Sequence, residues 1–123
     1  MSDALTMYAR LDEVIHELGE AYHTLAILEA ASRRAEVDAE RTEAKVFLGF
    51  KATEGKSDDW TRKLTTDKEE VYQARMFSIS EAARHKAAWG KVKTLEREHE
   101  MLRSGLGMER AKLSAGVELG DHA

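Results

Sequence analysis

A chain of 123 residues without cysteine can build neither a disulfide framework nor a thiolate metal site, and without proline it lacks a residue that loop-rich β folds use at turns and edges. Charged residues make up 34% of it and aromatics 7%, a balance typical of long helices. The net charge of −4 disfavours a strongly basic nucleic-acid surface.

Few large apolar side chains means little buried surface in a lone chain. A narrow apolar stripe then calls for a partner helix, often from another copy. The acid is concentrated at the front: residues 1–54 hold 11 acidic and 6 basic side chains, residues 55–123 hold 12 and 13. This mild polarity favours pairing of the two halves, or of copies. The start Met1-Ser2-Asp3-Ala4 carries no apolar signal segment, and no run reaches the ~20 apolar residues of a membrane span. The expectation is a cytoplasmic protein with no membrane partner.

The first predicted helix covers about 3–53. Tyr8, Leu11, Ile15, Leu18, Tyr22 and Leu25 follow one another at gaps of three and four, a heptad seam. Past Leu28 the spacing continues in small side chains, Ser32, Ala35, Ala39, Thr42 and Val46. Phe47, Leu48 and Phe50 cluster near the end. Gly19 costs up to ~1 kcal/mol in a helix interior, which the surrounding stripe should override.

A break is predicted over 55–65. Gly55 suits a helix C-terminal cap, Ser57 or Asp58 a new N-cap, and Trp60 to Leu64 a short helical turn. Thr66 with Glu69 three residues on has the form of a capping box. The second long helix is predicted over about 67–103. Val71, Ala74, Ser78, His85, Ala88, Val92, Leu95, His99 and Leu102 line one face. Tyr72, Met76, Ile79 and Ala83 line an adjacent one. Two stripes on one helix imply two neighbours, the helix partner in the chain and a second copy. Ser104-Gly105-Leu106-Gly107 should end the helix, leaving 108–123 as a short turn and loose tail after a helical domain of residues 1–107.

The expected architecture is therefore all-α, a long antiparallel two-helix hairpin, coiled-coil-like and assembling into an oligomeric bundle. The expected oligomer interface comprises Leu11, Ile15, Leu18, Tyr22 and Leu25 from the first helix, with Tyr72, Met76, Ile79 and Trp89 from the second.

Two chemistries compete with pure assembly. Glu-x-x-His occurs as Glu13/His16, Glu20/His23 and Glu96/His99, a spacing that puts two ligands on one inward face in di-metal bundles. Only His99 shares a face with seam residues, so Glu96 and His99 form the candidate metal pair. Arg84, Lys86, Lys91, Lys93, Arg97 and Arg103, with Trp89 among them, make a basic helix that could track phosphates. Glu96, Glu98 and Glu100 interrupt it. No cysteine nucleophile, glycine-rich phosphate loop or Gly-x-Ser-x-Gly elbow is present, so neither an enzyme nor a cofactor is expected.

The Gly55-Lys56-Ser57 break, Thr66-Asp67-Lys68-Glu69, Ser80-Glu81-Ala82-Ala83, and Leu102-Arg103-Ser104 followed by Glu109-Arg110 resemble a pattern in small helical proteins of tailed bacteriophages. The resemblance covers about half the chain. It implies an accessory role near recombination or replication in a bacterial cell. The leading expectation is a non-enzymatic, self-associating interaction protein. A DNA-associated accessory factor and a di-metal bundle are the alternatives.

Overall fold

The computed structural model describes the backbone of residues 3–121 and the side chains of residues 3–116. Three helices follow in order, α1 (Asp3–Glu54), α2 (Asp58–Asp67) and α3 (Glu69–Asp121). There is no strand among the described residues. No described helix is long and apolar enough to cross a membrane.

The ends of α1 and α2 follow their local chemistry. Gly55 takes the left-handed conformation, φ 62°, and its N–H donates to the Lys51 carbonyl. That backbone is cheap only for glycine, so α1 stops there. Ser57 caps α2 by accepting from the Trp60 N–H. Asp58 and Asp59 in the first turn complement the helix dipole. The expected capping box at Thr66 does not form. Its hydroxyl donates to the Arg62 carbonyl within α2, and the Lys68 carbonyl accepts the N–H groups of Val71 and Tyr72 in the first turn of α3.

The largest departure from the expected pattern is the end of α3. The helix runs through Gly105 and Gly107 to Asp121 instead of stopping at 104–107. Neither glycine takes a positive φ. Gly105 lies against the Met7 thioether, and Leu106 is only 4% exposed. Burial on α1 outweighs an intrinsic glycine cost of ~1 kcal/mol per position. Residues 108–121 are thus helical rather than a turn and tail, while His122 and Ala123 lie outside the described residues.

The chain forms two compact units. In each, α1 and α3 pack antiparallel. The first unit combines the start of α1, up to Thr24, with α3 from Trp89 on. Its core is Val14, Ala21, Val92, Leu95 and Leu106. Arg10 makes a two-pronged ion pair with Glu98, Nε to Oε1 at 2.6 Å and Nη2 to Oε2 at 2.9 Å. Its remaining nitrogen reaches Glu13 and Glu17. This geometry holds the Glu98 carboxyl below its ordinary range and raises the Arg10 guanidinium.

The second unit spans Leu25–Ala88. Here the buried apolar side chains are Ala35 and Ala39 of α1 and Val71 of α3. The seam also admits one acid, Glu81. Thr61 and Thr65 of α2 are fully buried, and each satisfies its hydroxyl on a carbonyl one turn back. Lys51 pairs with Asp58 at 2.9 Å and lowers the pKa of that carboxyl.

Buried and half-buried positions of α3 repeat as 71, 74, 78, 81, 85, 88, 92, 95, 99, 102, 106 and 109, which includes the whole face expected from sequence. In α1 the row is 4, 7, 11, 14, 18, 21, 25, 28, 32, 35, 39, 42 and 46. The expected row was right at Leu11, Leu18 and Leu25 but one residue too far round at Tyr8, Ile15 and Tyr22, which are exposed. Val14 and Ala21 fill the inner positions instead. The small Val14 and Ala21 side chains allow α3 to approach, and the tyrosines stand on the flank, where their hydroxyls find polar partners.

Candidate functional site

Two flanks stand out, one in each unit. In the first unit Tyr8, Ile15 and Tyr22 form a row at seven-residue spacing beside the filled seam, each between 41% and 52% exposed. The Tyr8 hydroxyl accepts from Arg110, with Nη2 at 3.0 Å. Partial desolvation and the neighbouring Glu96 carboxylate raise the Tyr22 hydroxyl above its ordinary pKa. A cleft of about 280 Å³ opens here between Tyr8, Leu11, Arg103, Leu106, Gly107 and Arg110. Arg103 has no carboxylate partner among the described residues.

In the second unit Tyr72, Met76 and Ile79 are exposed along α3, as is Phe77, which the sequence pattern did not mark. A cleft of about 250 Å³ is lined by Glu36, Ala39, Glu40, Glu43, Arg75, Ser78 and Ile79. Glu43 pairs with Arg75. Glu36 and Glu40 have no cationic partner among the described residues.

The interface residues expected from sequence therefore divide. Leu11, Leu18 and Leu25 are half-buried in the row that faces α3. Ile15, Tyr22, Tyr72, Met76, Ile79 and Trp89 are exposed. Trp89 carries the Lys93 ammonium over its ring, 5.4 Å from the centroid.

The basic residues do not form one face. In the first unit Lys91, Lys93, Arg97 and Arg103 are all exposed and project at different angles around α3. In the second unit Lys86 is exposed and Arg84 is tied to Glu81 at 3.1 Å. The candidate metal pair also separates: His99 is half-buried in the seam, whereas Glu96 is exposed beside Tyr22. Among the described residues no three His, Asp or Glu side chains converge as a metal cluster would require.

Glu81 also lies on the inner face of α3, where its charge hides it from an apolar pattern. Its place in the spacing, between Ser78 and His85, was the available signal. Comparison of the chain with protein-family models, with curated proteins and with solved structures finds no match.

Proposed function

We propose that this chain is a non-enzymatic helical assembly protein that associates with copies of itself into a coiled-coil-like bundle. One observation carries the reading. The seam in each unit is already filled, yet large apolar side chains outside it stand bare: Tyr8, Ile15 and Tyr22 in the first unit, Tyr72, Met76 and Ile79 in the second. Exposed apolar side chains gathered on a charged surface are a usual mark of a protein contact, because leaving them in water is unfavourable. Mixed charge on the remaining helix faces supports a contact that is specific without being adhesive.

Sedimentation velocity across the micromolar range tests it. Self-association that grows with concentration is expected, and Ile15→Asp with Ile79→Asp should weaken it at least tenfold, a change of ~1.4 kcal/mol or more. A strict monomer at high micromolar concentration would refute the proposal.

A further inference from the structure

Resting on the self-association proposed above, we infer that the arginine-bearing flank of the first unit docks on the acidic flank of the second unit of another copy. Each flank combines bare apolar surface with charges that its own unit does not neutralise. In the first unit Arg103 and Arg110 stand seven residues apart at the rim of the Tyr8–Leu106 cleft. Among the described residues Arg103 meets no carboxylate, and Arg110 donates to the Tyr8 hydroxyl. In the second unit Glu36 and Glu40 border the cleft beside Ile79 with no cationic partner among the described residues, while Glu43 is paired with Arg75.

The two flanks thus match in kind: two cations without a carboxylate partner among the described residues beside Tyr8 and Leu11, two anions without a cationic partner among them beside Ile79. Arg103 and Arg110 are ~10.5 Å apart along α3, and Glu36 and Glu40 ~6 Å along α1, at 1.5 Å rise per residue. Long guanidinium side chains absorb that difference. Two-pronged recognition of a carboxylate is the geometry arginine favours, as Arg10 shows with Glu98. A phosphate chain would satisfy the arginines but leave the acidic flank bare. Docking of copies gives each flank a counterpart of opposite charge, and those charges set which surface meets which.

Charge exchange tests the pairing. One variant carries Arg103→Glu and Arg110→Glu, the other Glu36→Lys and Glu40→Lys. All four side chains are exposed, and helicity by circular dichroism confirms folding of each. Each variant alone should self-associate at least tenfold more weakly than the parent chain. An equimolar mixture should regain association close to that of the parent, because every contact in it pairs opposite charges. Raising salt should weaken the parent and the mixture alike. The neutral pair Arg103→Gln/Arg110→Gln and Glu36→Gln/Glu40→Gln serves if a reversal disturbs folding, with a smaller loss expected in each. Parent-like association in both variants, or a mixture that stays apart, overturns this pairing while leaving self-association intact. A monomeric parent overturns both. Binding of single-stranded DNA that is lost in Arg103→Glu/Arg110→Glu, with self-association unchanged, assigns the arginines to phosphate and also overturns the pairing.

Discussion

Glu81 sits in the α3 row that otherwise carries Ala74, Ala88 and Leu95 at equivalent positions, and its side chain is 8% exposed. Its cation, Arg84, is 62% exposed and touches it through one nitrogen at 3.1 Å. An ion pair three residues apart on one helix returns ~0.5 kcal/mol, whereas taking a carboxylate out of water costs several. Leucine in the same space would recover ~1.5–3 kcal/mol of apolar burial, less up to ~1.5 for imperfect fit. Glu81→Leu should therefore stabilise the protein by about 1–3 kcal/mol, in line with replacements of buried ion pairs by apolar groups. Glu81→Gln keeps the shape and loses the charge, and should fall within ~1 kcal/mol of the parent. Urea unfolding followed by circular dichroism measures both, with an unchanged slope confirming that the same surface is exposed. A leucine variant less stable than the glutamine variant would refute the reasoning. It would mean that the carboxylate holds the helices in register, the role polar seam residues take in some coiled coils.

The glycines separate by conformation. Gly90→Ala should stabilise α3 by ~0.5–1 kcal/mol and raise Tm by a few degrees, since an added Cβ meets nothing within 4 Å. Gly55→Ala should instead destabilise by ~1–2 kcal/mol, because φ is +62° there. Thermal unfolding of the two variants, opposite in sign, checks both. Because Arg10 holds the Glu98 carboxyl low, the pair stabilises the first unit above the unfolded-state value of ~4.3, and that contribution disappears as pH falls through the lower folded value. Amide exchange around residues 10 and 98 should accelerate as pH drops through that window relative to intrinsic rates. Glu98→Gln should remove this acid sensitivity, and an identical acid profile in the variant would refute it.

Periodicity made most of the helical architecture readable. The α3 face from Val71 to Leu102 appears in the structure as read from spacing, because its small and apolar side chains recur at gaps of three and four along the whole stretch. The Gly55 cap and the Ser57 cap were equally legible, since each depends on a single residue's chemistry. The candidate flanks were only partly so. Tyr72, Met76 and Ile79 could be found as an extra stripe, but Arg103 and Glu36 become partners of a surface only once α1 and α3 bring their clefts together within each unit.

What local chemistry settled was helix against strand, the turn at 55–57, and the inner face of α3, all governed by contacts a few residues apart. What packing settled was the choice between two adjacent rows on α1, the passage of α3 through Gly105 and Gly107, and the burial of Glu81. Those outcomes depend on what stands opposite. The Tyr8 row and the Val14 row satisfy the same spacing, and only the approach of α3 lets the smaller side chains take the inside and turns the tyrosines to the flank.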